Sequence, residues 1–107
     1  MIRENASAIL QVLAEFKTED GKQIGANYYI SRKGIEHMLK ERGWPELEPV
    51  DMNDAINTLE RMGYIKVMRS MGTSPYHFSG VSLLTEGRLA YEDAIFGQKR
   101  ILLAVQV

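Results

Sequence analysis

Across Gly63 the spacing of apolar residues changes from a helical period to a period of two, which requires a helix to run directly into a strand. Before it, Met52, Ala55, Ile56, Leu59 and Met62 recur at the spacing of one helical face. After it, "YIKVMR" sets Tyr64, Lys66 and Met68 against Ile65, Val67 and Arg69, the alternation of a strand. "SMGTSP" then supplies turn formers and "YHFSGVSLL" a second extended run, with Gly80 placed for a bulge, so residues 64–84 read as a β-hairpin. Upstream, Asp51 is positioned to cap a helix over 51–62, and Asp54 stands where a capping-box residue reaches back. Gly63 ends that helix.

The rest of the chain is mainly helical in pattern. Ala6, Ile9, Leu10, Leu13 and Phe16 predict a first helix from Asn5 to about Lys17. "TEDGKQIG" breaks it, and "NYYIS" suits a short edge strand. Ser31 as N-cap and Gly43 as a left-handed cap bound a second helix over 32–42, with Ile35, Met38 and Leu39 inward. The connection "GWPELEPV" carries two prolines and cannot be helical throughout. Thr85 is expected to cap a fourth helix, "EGRLAYEDAIF", that ends before Gly97, and the tail "QKRILLAVQV" fits strand and helix equally. With 107 residues, no repeat and no linker, the reading is one domain over 1–107, α+β and mainly α.

Composition narrows the functions. A net charge of -1 and a pI near 6.1 give no overall attraction to a polyanion, so nucleic acid would have to be held by local clusters of Lys and Arg. There is no cysteine, and His37 and His77 cannot supply the four or so ligands of a structural zinc site, so neither metal nor cofactor is expected. The start "MIRENASAIL" lacks the apolar core of a signal peptide and the run "ILLAV" is far short of a membrane span; a soluble cytoplasmic protein without a membrane partner is expected. No phosphate loop or nucleophile elbow is present, and Glu46 and Glu48 sit in a proline-bounded loop. No catalytic residue is assigned, and the chain is not expected to be an enzyme. Tyr28, Tyr29 and Trp44 suit either a small-ligand pocket or the core and its rim, and Met38, Met52, Met62 and Met68 are expected to fill gaps on inner faces.

The order helix, short strand, helix, helix, hairpin, helix resembles the winged helix-turn-helix family of small bacterial, archaeal and phage regulators. "AINTLERMGYIKV" is similar to that family's reading helix, closed by glycine as the wing begins, and "LLTEGRLAYE" is similar to its exit from the wing into a further helix. Residues 43–50 are a longer connection than the three- or four-residue turn of the plain motif. The resemblance implies a winged helix: a three-helix core, the hairpin 64–84 as wing, and an additional C-terminal helix. It also implies a DNA-binding transcriptional regulator, with helix 51–62 in the major groove and Lys66, Arg69 and the turn at Met71 to Ser74 on the backbone or in the minor groove.

With the apolar stripe inside, the helical step puts Asn57 and Arg61 at the centre of the outer face of helix 51–62, with Asn53 and Asp54 beside them. Asn pairs with adenine edges and Arg with guanine edges, so Asn53, Asn57 and Arg61 are candidate readers of duplex DNA. Residues 43–62 carry five acids (Glu46, Glu48, Asp51, Asp54, Glu60) against Arg61, a balance of -4. The second helix has Arg32, Lys33, Lys40 and Arg42 against Glu36 and Glu41, and the wing has Lys66 and Arg69 with no acid; each is +2. Phosphate contacts are accordingly assigned to Arg32, Lys33, Lys66 and Arg69, with His77 a further candidate in the wing. The same charges support an alternative, a winged-helix module that binds a protein through Glu46 to Asp54 and the apolar tail and does not bind DNA. Helix four is apolar almost all round (Leu89, Ala90, Tyr91, Ala94, Ile95, Phe96), so residues 85–107 either form a homodimer or pack on helix one of the same chain.

Overall fold

Fourteen residues form the first helix, α1 (Ile2–Glu15), which begins at Ile2 rather than Asn5 and buries Ala6, Ile9, Val12 and Leu13. Leu10 and Phe16, expected inside, are only partly buried at its flanks, and Val12 takes the central place. This computed structural model describes residues 2–25, 27–69 and 78–94. The turn at Met71 to Ser74, His77, Ile95, Phe96 and the tail lie outside the described residues.

Helix α2 (Arg32–Glu41) starts where the sequence places it: Ser31 is extended, and its Oγ accepts from the Gly34 amide at 3.1 Å. At its end Gly43 has φ 76°, the Gly43 N–H donates to the Lys40 carbonyl and the Trp44 N–H to the Leu39 carbonyl, each at 3.0 Å. These paired bonds make a Schellman cap, which needs a residue free to adopt positive φ. Helix α3 (Pro49–Arg61) ends the same way, with Gly63 at φ 78° and Gly63 and Tyr64 donating to Glu60 and Leu59.

The start of α3 departs from expectation. It begins at Pro49, not Asp51, and the N-cap is Glu48, which makes no side-chain cap bond. Proline at the first helical position has its φ preset and lacks only an amide that would be unpaired there, so it extends the helix backwards into the connection. Met52, Ala55, Ile56 and Leu59 are buried against α1, as expected, but Met62 lies past the last helical residue and is 53% exposed. Of the other methionines placed inside, Met38 is partly buried and Met68 is exposed.

Strand β1 (Ile65–Met68) pairs antiparallel with β2 (Gly80–Leu83), from Ile65 opposite Leu83 to Met68 opposite Gly80. The ladder is continuous. Gly80 marks no bulge, and a Cβ there would stand 3.1 Å from Tyr29 Cβ, so the glycine answers a close approach. The expected strand at "NYYIS" is reduced to Ile30, which exchanges two 2.8 Å backbone bonds with Val81 on the other edge of β2. Flanked on both edges, β2 is buried at every residue. Among the described residues the architecture is α+β, mainly helical, around one two-stranded antiparallel sheet. No described helix is long and apolar enough to cross a membrane.

The fourth helix, α4, is helical over residues 85–94; Thr85 is already inside it, and the Leu84 carbonyl accepts its first turn's bond from Arg88. Here "LLTEGRLAYE" acquires a physical reason. A Cβ on Gly87 would lie 2.3 Å from the Tyr64 carbonyl oxygen and 2.8 Å from Leu83 Cδ1. Arg88 donates to the Ala14 carbonyl at 3.3 Å and the Ile24 carbonyl at 3.0 Å, tying α4 to the end of α1. One turn on, the Tyr91 hydroxyl donates to Glu15, which also receives Arg42 at 2.7 Å. The exterior is mixed: Leu89 is 46% exposed, while Tyr91 is partly buried on the core.

Two tests follow from this docking. Gly87→Ala should destabilise by about 2 kcal/mol or more in urea unfolding, because backbone must move to admit the methyl. Gly25→Ala, where no atom lies within 4 Å, is the control and should be near neutral. Equal effects would remove the close approach.

The second test is pH. Burial pushes the Tyr91 hydroxyl up, and its hydrogen bond to Glu15 and the charge of Glu15 add to this, reaching about 12. Burial also raises Glu15, but hydrogen bonds from Tyr91, Arg42 and Gln11, with the charge of Arg42, outweigh it and hold the carboxyl below its ordinary 4.5. The lowered carboxyl contributes fully above 4.5 and loses that contribution as pH falls through its folded value. The raised phenol contributes below 10.0 and loses it as pH climbs toward about 12. Tyr91→Phe should remove the alkaline loss and weaken the acid one; stability–pH profiles that superimpose on the parent's would refute the assignment.

Candidate nucleic-acid interface

The outer face of α3 and the end of β1 form one surface because of Arg69. Along β1, Ile65 is buried and Val67 partly so, while Lys66 and Met68 are exposed, which sets the odd-numbered side towards the helices. Arg69 continues that side. Its Nη1 donates to Glu60 Oε2 at 2.9 Å and its Nη2 to Glu60 Oε1 at 3.1 Å, a bidentate pair, and Nη2 also donates to Asn57 Oδ1 at 3.1 Å. The hydrogen bond to Glu60 raises the Arg69 pKa above its ordinary value, burial opposes this, and the charge of Glu60 adds to it.

Two of the seven assigned DNA-binding residues, Asn57 and Arg69, are thus brought together, with Glu60 between them and the solvent half-open around all three. Arg61 follows as the last residue of α3, exposed and with no side-chain partner among the described residues. Asn53 is corrected: it is 7% exposed, on the buried side of α3 rather than beside Asn57 on the outer one. The helix starting at Pro49 packs a broad inner face on α1, and Asn53, between Met52 and Ile56, falls within it. A buried amide is not offered to a base edge.

The other cations are more dispersed. Lys66 stands on the sheet face opposite Arg69, by strand alternation, and faces solvent. In the first turn of α2, Lys33 is exposed, whereas the Arg32 guanidinium donates to Glu36 at 3.0 Å. On the acidic side, Glu46, Glu48 and Asp51 are exposed and Asp54 is partly so, and none has a cation partner among the described residues. His37 is exposed and its Nε2 lies 2.9 Å from Glu41. The described residues contain no cluster of three or more His, Cys, Asp and Glu that would hold a metal ion.

No family model, curated protein or solved structure matches this chain. The reading of its surface therefore rests on its own residues.

The aromatics do not gather into one pocket. Tyr28 packs on Phe16 with ring centroids 5.7 Å apart, and Tyr29 lies against Gly80, while Trp44 stands at the far end of α2. Glu60 is the surface residue that sequence reasoning did not select. Its signal was available: Arg69 has the same strand parity as Ile65 and Val67, so its side chain had to point towards α3 and find a partner there.

Because the Glu60–Arg69 pair is partly open to solvent, its bidentate geometry should translate into little stability. A double-mutant cycle of Glu60→Ala and Arg69→Ala is expected to give a coupling of about 0.5–1 kcal/mol that shrinks with added salt. Strict additivity would remove the bridge.

Proposed function

We propose that this chain is a winged-helix protein that binds duplex DNA, with the outer face of α3 in the major groove and the β1–β2 hairpin as its wing, and that it acts as a transcriptional regulator. The observation that carries this reading is the Arg69 bridge, which joins strand and helix into one surface holding Asn57 and Arg61 at helical spacing. Asn57 and Arg61 are its base readers. Lys33, Lys66 and Arg69 are its phosphate contacts, and on binding Arg69 exchanges Glu60 and Asn57 for phosphate, which frees the Asn57 amide oxygen for a base edge.

A second reading has its own observation. Glu46, Glu48, Asp51 and Asp54 have no cation partner among the described residues, and Val50 among them is 52% exposed. A protein-binding module would use that surface for a basic, partly apolar partner and leave DNA alone. Homodimerisation through residues 85–107 is compatible with either, and Leu89 is a large exposed apolar residue of α4 that it would cover.

One experiment separates the two. A labelled duplex selected from a random pool is titrated against the parent, Arg61→Ala and Glu60→Gln at several salt concentrations. On the DNA reading Arg61→Ala weakens binding about tenfold, and Glu60→Gln strengthens it and steepens the log-affinity against log-salt slope by about one. If no duplex is enriched, or the three proteins bind alike, the DNA reading fails and the protein-binding one is preferred.

A further inference from the structure

Between α2 and the connection that follows it lies a hollow of about 410 Å³, within the size range of small-molecule sites. Its floor is apolar: Leu39 and Met52, 4% and 1% exposed, come from α2 and α3. Trp44 and Leu47, both partly buried, line it from the connection. Trp44 is held at three points. Its amide donates to Leu39 in the Schellman cap, its indole Nε1 donates to Asn5 Oδ1 at 3.4 Å, and Gly43 before it has the backbone angle that turns the chain back across the helix end. An indole fixed in this way is a preorganised wall, which lowers the ordering cost of binding.

The charges of the lining are unevenly satisfied. Glu36 is occupied by Arg32 and His37 by Glu41. Lys33 and Lys40 have no partner among the described residues, and neither has Glu46 in the connection. Among the lining residues without a partner, two ammonium groups along α2 against one carboxylate leave one positive charge over an apolar floor, with the Glu41 carboxylate held by His37 just outside the lining. A dianion such as phosphate would meet Glu46 and gain nothing from Leu39, Met52 or the indole. A flat apolar body carrying one carboxylate satisfies both parts: the ring lies against Trp44 and the floor, and the carboxylate is reached by Lys33 or Lys40.

We propose that this hollow is a binding site for small aromatic monocarboxylates; it shares Lys33 with the DNA surface proposed above but stands whether or not DNA is bound. Trp44 is the one tryptophan of the chain, so its indole N–H gives a single tryptophan reporter at the site itself. The intact chain, labelled with nitrogen-15, is titrated with 2-naphthoate and with the uncharged 2-naphthalenemethanol, and the Trp44 indole cross-peak is followed. The expected result is a saturable shift with naphthoate and an affinity about tenfold weaker for the alcohol. Lys33→Gln with Lys40→Gln, both at exposed positions outside the packed core, should bring naphthoate down to the alcohol's affinity while leaving the alcohol unchanged. An unmoved indole peak, equal affinity for the acid and the alcohol, or a double variant that binds naphthoate as the parent does would each overturn the proposal.

Discussion

The carbonyl of Tyr64 is the point on which the other elements converge. It follows the left-handed Gly63 that closes α3, it opens the sheet, it accepts the Leu84 amide at 2.9 Å, and it lies where any side chain on Gly87 would have to be. A helix end, a strand start, a strand exit and the first turn of α4 therefore meet within van der Waals reach of one peptide unit. Two residues without side chains make that convergence sterically possible. Once α4 is admitted there, Arg88 and Tyr91 are carried to the end of α1, Arg88 also holds the Ile24 carbonyl of the loop that follows α1, and Ile30 at the end of that loop is bridged to β2.

Much of this was legible from residue patterns, for a reason that can be stated locally. Ser31, Gly43 and Gly63 act on backbone groups within a few residues of themselves, so their meaning does not depend on the rest of the fold. The change of period at Gly63 is equally local. What could not be read depends on partners distant in sequence: Asn53 is buried because α1 packs broadly on α3, and "NYYIS" keeps one bridge because β2 accepts only Ile30 on that edge. The start of α3 was misplaced for a different reason. Asp51 is the better capping side chain, but Pro49 is the better first helical residue, and the backbone preference prevailed over the hydrogen bond that Asp51 offered.

The candidate surface shows the same division. Periodicity found Asn57, Arg61 and Arg69 singly, whereas their organisation depends on Glu60, whose role appears only when strand parity and helix face are considered together. Counting Arg69 as a free wing cation overstates the local field. Its charge is largely cancelled at rest by Glu60, and the wing's net contribution falls from two charges to little more than that of Lys66.

The acidic opening of α3 has in turn a cause inside the helix. Asp51 lies in the first turn, where a carboxylate interacts favourably with the unpaired amides and the positive end of the helix dipole, an effect of about 0.3–1 kcal/mol at an exposed site. Glu48 stands at the N-cap without a side-chain bond and shares that field. These two charges are thus accounted for by the stability of a helix that lacks a capping side chain, and they need no external partner. Asp54, a turn further in, has no such account. The balance of -4 over residues 43–62 therefore overstates the case for a basic protein partner just as the +2 of the wing overstates the case for phosphate, and the residue that separates the two readings is Arg61, exposed on the outer face with no side-chain partner among the described residues.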